Sequence, residues 1–121
     1  MALAAKGKEV MLGGFETEAT KVGLYYDDAG TMTEKTGSGY ARQNITWTYD
    51  DTTPGAEILN ADEVLGQDYV ATFDVPAGSI DFVVFLNAGG DIVAIHALGE
   101  YSEEYGSPGV YELLEASMEV E

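Results

Sequence analysis

Short apolar runs alternate with turn-rich gaps along this chain, and the dominant period is two. In residues 21–26, Val22, Leu24 and Tyr26 fall on one side of an extended backbone. Residues 40–49 form the clearest long strand: Ala41, Ile45, Trp47 and Tyr49 share a face, with Thr46 and Thr48 opposite. Residues 69–75 place Tyr69, Ala71, Phe73 and Val75 together, and Pro76-Ala77-Gly78 ends the run. Residues 79–86 and 91–98 make the strongest hairpin pattern. Asn87-Ala88-Gly89-Gly90 joins them, and glycine supplies the positive φ that so tight a connection needs.

The gaps are equally informative. Residues 27–39, rich in Asp, Gly and Thr, read as a loop, and Pro54-Gly55 punctuates a turn over residues 50–55. Residues 56–65 are weakly patterned and fit a short strand or a helical turn, whereas residues 100–109 form an acidic loop with Tyr101, Tyr105 and Pro108. In residues 110–121, Val110, Leu113, Leu114 and Met118 fit a helical face. Leu114, Ala116, Met118 and Val120 also alternate with Glu115, Ser117, Glu119 and Glu121. The strand reading is preferred there, because Gly109 precedes the segment and all upstream elements are β. Together these elements predict an all-β fold, a single antiparallel β-sandwich of about seven or eight strands over residues 21–121. Residues 1–20 lack such regularity and are expected to form an extended N-terminal arm hinged at Gly13-Gly14.

Composition supports one domain. With 121 residues, 45% of them apolar, the chain can build its own core, and fifteen glycines with eight tyrosines suit a β fold. Charge changes the picture more. The only cations are Lys6, Lys8, Lys21, Lys35 and Arg42. Six acids accompany these five within residues 1–42, while residues 43–121 hold the other sixteen and no Lys or Arg. A surface of this kind does not neutralise phosphates, so no nucleic-acid partner is expected. The apolar runs are too short to span a bilayer and residues 1–15 lack a signal-type apolar core, so no membrane partner is expected and the protein is expected to be soluble.

Candidate chemistry is sparse. Cysteine is absent, which removes disulfides and thiolate metal sites. His96, the only histidine, lies in phase with Ile92, Ala94 and Leu98 and reads as a strand residue rather than a catalyst. No Gly-x-Ser-x-Gly elbow occurs, and carboxylate pairs are too abundant to single one out. Asp27-Asp28-Ala29-Gly30 and Asn87-Ala88-Gly89-Gly90-Asp91 offer oxygens but not the EF-hand spacing, and both read as turns. Asn44-Ile45-Thr46 matches the glycosylation triplet by chance within a strand. No catalytic residue, metal or cofactor is therefore expected. Arg42, the last cation, should pair with a carboxylate, within the fold in preference to across a subunit boundary.

Some stretches carry a family resemblance. They are Val22-Gly23-Leu24-Tyr25, then Gly39-Tyr40-Ala41-Arg42-Gln43-Asn44-Ile45-Thr46-Trp47, and Ala71-Thr72-Phe73-Asp74-Val75-Pro76-Ala77-Gly78. The glycine-turned hairpin of residues 82–98 and Gly109-Val110-Tyr111 follow. In this order they resemble the small β-sandwich virion proteins of tailed bacteriophages, known as head decoration, minor capsid or tail fibre proteins. The resemblance implies a non-enzymatic structural subunit of the virion, assembled in the host cytoplasm. It implies docking on the major capsid protein or on tail proteins, and self-association in a trimer or larger ring.

Lys6, Lys8, Phe15, Lys21 and Arg42 are the expected interface residues, with residues 1–20 as the docking arm. On that expectation, removing residues 1–14 should abolish particle binding without unfolding the domain. A tail accessory or fibre-base role is the alternative within the class. From another class, a carbohydrate-binding module would stack sugars on Tyr25, Tyr26, Tyr40, Trp47, Tyr101 and Tyr105. A cytosolic protein of a salt-loving organism would share the acidic surface.

Overall fold

A computed structural model of the chain describes residues 5–52 and 57–119. The expected Pro54-Gly55 turn and the last two positions of the tail lie outside them. The fold is all-β with one helix, as the period-two pattern predicts. Among the described residues, α1 (Ala5–Glu18) precedes twelve short strands. These are β1 (Lys21–Asp28), β2 (Thr31–Glu34), β3 (Gln43–Asn44), β4 (Trp47–Asp50), β5 (Ile58–Ala61) and β6 (Ala71–Val75). β7 (Gly78–Ile80), β8 (Phe82–Leu86), β9 (Ile92–Ala97), β10 (Glu103–Tyr105), β11 (Gly109–Leu113) and β12 (Ser117–Glu119) complete them. A 3₁₀ turn, Gly99–Tyr101, links β9 to β10. The hydrogen-bonded ladders are antiparallel.

The largest sheet runs β2-β1-β8-β9, with β3 sharing the β2 edge of β1. Smaller ladders are β10-β7, β11-β6 and β12-β5-β4. Val22 and Leu24 of β1 and Val83 and Phe85 of β8 face one core, where Trp47, Leu59, Phe73, Val75 and Tyr111 of the smaller ladders meet them. Tyr25, Val84 and Leu86 form a second cluster with Met32 and Phe82 on the opposite face. β1 and β8 are thus covered on both faces, which explains their nearly unbroken apolar runs.

The N-terminal segment departs from expectation. It is a helix, not an extended arm. Gly7, Gly13 and Gly14 disfavour helix, and the apolar positions lack helical spacing, so local preference points the other way. Tertiary contact decides. Leu12 is fully buried, and Phe15 sits edge-on to Trp47 at 5.1 Å and to Phe85 at 6.2 Å. The helix then ends on the core: the Ala19 N–H donates to the Phe15 carbonyl at 2.8 Å, and the Trp47 indole N–H donates to the Ala19 carbonyl at 2.8 Å.

The segment 40–49 is likewise not one strand. β3 pairs with β1 and β4 pairs with β5, so Ile45 and Thr46 carry the chain from one sheet to another. The predicted faces survive this: Ile45 and Trp47 are buried, while Thr46 and Thr48 project outward and bond the Asp62 carboxylate. The expected loop of residues 27–39 contains β2, reached through a two-residue turn at Ala29 (φ 52°) and Gly30 (φ 95°). Two positive φ values in succession match the hairpin turn that follows strand twist. The 82–98 hairpin and the strand reading of the tail are both present, as β8–β9 and as β11 with β12.

Candidate docking surface

The expected interface residues do not gather on one arm. Lys6 pairs with Glu9 on the exposed side of α1 at 3.5 Å. Lys8 lies 4.0 Å from Glu57, with most of both side chains shielded. Phe15 is turned into the core, and Lys21 donates to the Asn44 side chain. Arg42 makes the internal ion pair expected of it. Its Nε–H and Nη2–H donate to Glu34 Oε2 and Oε1, each at 2.8 Å. Lys35, which no pattern singled out, is buried with its ammonium 4.7 Å from the Tyr26 ring centre, a cation–π arrangement.

The Arg42 pair belongs to a clasp that closes a gap in the largest sheet. β2 leaves β1 after Tyr25 and β3 joins it at Val22, so Gly23 and Leu24 have no strand partner on that edge. The Leu24 N–H donates instead to the Tyr40 hydroxyl at 2.9 Å, which donates to Glu34 Oε2 at 2.9 Å, and the Lys35 N–H donates to the Leu24 carbonyl. A Cβ on Gly23 would stand 2.9 Å from the Tyr40 oxygen and 3.1 Å from Glu34 Oε2, so a side chain here would push these two groups out of the clasp. The Tyr40 ring stacks on Phe73, tying the clasp to the core.

Hydrogen bonding from Arg42 holds the Glu34 carboxyl below the usual 4.5, against the opposing effect of burial. Burial, with Glu34 beside it, pushes the Tyr40 phenol well up. A depressed carboxyl binds fewer protons folded than unfolded as pH falls below its ordinary value. The Glu34 contribution is therefore complete above about pH 4.5 and lost as acid reaches the lower folded value. Glu34→Gln should flatten the fall in stability as pH drops below about 4.5, measured by urea unfolding. An unchanged acid slope would contradict the clasp.

The remaining candidates resolve as local structure. In the 27–30 turn the Gly30 N–H donates to Asp27 Oδ1 at 2.8 Å. In the 87–91 turn the Asp91 N–H donates to Asn87 Oδ1 at 2.9 Å. Among the described residues, no group of three or more His, Asp or Glu is placed to hold a metal ion, and no helix is long and apolar enough to cross a membrane. The six candidate stacking aromatics do not form one exposed platform, since Tyr25 and Trp47 are buried while Tyr101 is open to solvent.

A different surface emerges at β9. This strand ends the largest sheet, so its outer edge has no partner among the described residues. Val83 and Phe85 face the main core, and their cross-strand partners His96 and Ala94 continue that face outward. Beyond them lies a groove of about 870 Å³, floored by Tyr111, Leu113 and Met118 and rimmed by Glu112 and Glu115. Burial pushes the Tyr111 phenol up, and Glu103 adds to the effect. His96 is exposed at the groove as a strand residue. Ile92 and Ile95 are 46% and 52% exposed, on a strand with no Lys, Arg, Asp, Glu or Pro. Edge strands left this bare are templates for further pairing. The hairpin pattern located β9, but its edge position depends on where β11 and β12 settle, which no local pattern reveals.

No protein-family model, curated protein or solved structure matches the chain.

Proposed function

We propose that this chain is a non-enzymatic structural subunit of a tailed-bacteriophage virion, a decoration or minor capsid protein that docks on the major capsid lattice. One observation carries the reading: a bare, partly apolar strand edge beside a groove, on a chain of net charge −17. A monomer working alone gains nothing from such an edge and risks aggregation through it. A subunit covered by neighbours on a particle has the edge occupied, and repeated copies multiply weak contacts. The acidic remainder keeps unassembled copies apart. The resemblance of residues 20–120 to small virion proteins favours the same role, with association in a trimer or larger ring on the particle.

The docking element in this reading is the β9 edge, replacing the N-terminal arm, whose buried Leu12 and core-packed Phe15 make it part of the fold. The test is co-sedimentation of the purified chain with capsids, and separately with tails, of the phage that carries its gene. Binding to capsids is expected, and electron microscopy should place the density on the lattice. Binding to tails alone would move the subunit to a tail accessory role. Binding to neither, or turnover of a substrate by the purified chain, would overturn the proposal.

A further inference from the structure

We infer that the β9 edge and its groove take a specific occupant: an extended segment of a partner protein, apolar on its inward side and carrying Lys or Arg at its flanks. The inference deepens the docking reading by naming the partner's chemistry, and rests on it for the choice of surface. Three observations converge.

The first is backbone geometry. The Leu98 N–H donates to the Asp81 carbonyl at 2.9 Å, a bond that continues the β8–β9 register one pair beyond Phe82/Ala97. In an antiparallel ladder bonded and non-bonded pairs alternate. The Phe82/Ala97 and Val84/Ile95 pairs are therefore non-bonded, and the amide and carbonyl groups of Ile95 and Ala97 point to the open side. An incoming strand finds donors and acceptors there at strand spacing, the arrangement used in β-augmentation.

The second is side-chain chemistry. Residues of a strand added beside Ala94 and His96 alternate between the groove and the opposite face, as period two requires. Those facing the groove meet Phe85, Leu113 and Met118, so they must be apolar. Those on the other side lie beside half-exposed Ile95.

The third is charge. The groove rim carries Glu112 and Glu115, both exposed, and residues 43–121 contain no Lys or Arg to offset them. A second copy of this chain would bring sixteen acids of its own over the same span, whereas basic flanks complement the rim. Charge therefore selects a basic partner segment over self-pairing.

The test uses the full chain, isotopically labelled, and a synthetic peptide of about eight residues alternating Val and Thr with Lys at both ends. Nuclear magnetic resonance titration should shift the Ile95 and Ala97 amides and slow their hydrogen exchange, with binding weakening as salt rises from about 50 to about 200 mM. The double variant Glu112→Lys/Glu115→Lys should bind about tenfold more weakly. Ile95→Pro removes an outward amide without touching the β8 ladder; it should abolish binding while leaving the unfolding midpoint near that of the parent.

Several outcomes would overturn the inference. One is equal binding by a Lys/Ser peptide lacking apolar residues, which would mark non-specific charge attraction. Another is shifts confined to residues outside β9 and the groove. A third is dimerisation through β9 in the absence of peptide, seen by sedimentation. Because the peptide is synthetic, the result does not depend on whether the chain binds capsids, so failure of the virion reading and failure of the partner chemistry are told apart.

Discussion

Phe73→Ala should lower unfolding free energy by about 3–5 kcal/mol, the range for deleting a buried aromatic. Phe73 is only 1% exposed and lies on β6, which pairs with β11, inside the main core cluster. Its ring stacks on Tyr40 at 6.1 Å and tilts against Tyr111 at 6.3 Å. The loss combines a cavity in a close-packed interior with two forfeited ring contacts. Against a typical total of about 5–15 kcal/mol it is large enough to leave part of the population unfolded at moderate temperature.

The effect should also reach the clasp. Tyr40 is braced by Phe73, and its hydroxyl is the acceptor for the Leu24 amide. Hydrogen exchange at Leu24 should therefore accelerate in Phe73→Ala more than global destabilisation explains. Urea unfolding gives the first quantity and native-state exchange the second. Leu65→Ala, at a side chain 98% exposed, is the control and should change stability by less than about 0.5 kcal/mol. A Phe73→Ala protein as stable as its parent would mean that the Phe73 ring is not packed in the core as described.

What the sequence made legible follows the range of the forces involved. Strands whose faces alternate cleanly were readable: Ala71, Phe73 and Val75 lie inward as their spacing says, and the β8–β9 hairpin sits where its glycine turn predicts. These depend on neighbours a few residues away. Failures occur where distant contacts overrule local preference. α1 carries three glycines and no apolar stripe, and it is held by Trp47 and Phe85, far along the chain.

The break in residues 40–49 has no local mark, because Ile45 and Thr46 look the same whether a strand continues or changes sheets. Glu57 and Lys35 are buried charges, and a charged letter in a sequence reads as surface. Arg42 was legible as an internal ion-pair former because it is scarce among carboxylates. Its partner Glu34 was not, since that depends on the gap left at Gly23 and Leu24 between β2 and β3. The candidate docking surface was half legible. The uncharged strand is plain in the letters, but its exposure as an edge is a property of the assembled sheets.

Leu12→Ala is the second large expectation, a loss of about 2–5 kcal/mol, and it decides what the N-terminal segment is. An extended arm would tolerate the change, because an exposed side chain contributes little to folding. In the helix Leu12 is fully buried in the main core, one turn before Phe15 packs edge-on against both Trp47 and Phe85. Val10→Ala and Met11→Ala sit on the same turn at 64% and 54% exposure and should be near neutral, which separates burial from helix propensity. Removing residues 1–14 takes Leu12 with it, so the truncated chain should unfold at lower urea than the parent. Loss of particle binding in that truncation would then report a damaged fold, not a missing contact. Thermal unfolding supplies the check: roughly 4 °C per kcal/mol for a chain of this size predicts a fall of about 8–20 °C for Leu12→Ala. A midpoint unchanged by Leu12→Ala would return the segment to the status of a detached arm and reopen its basic residues as the docking element.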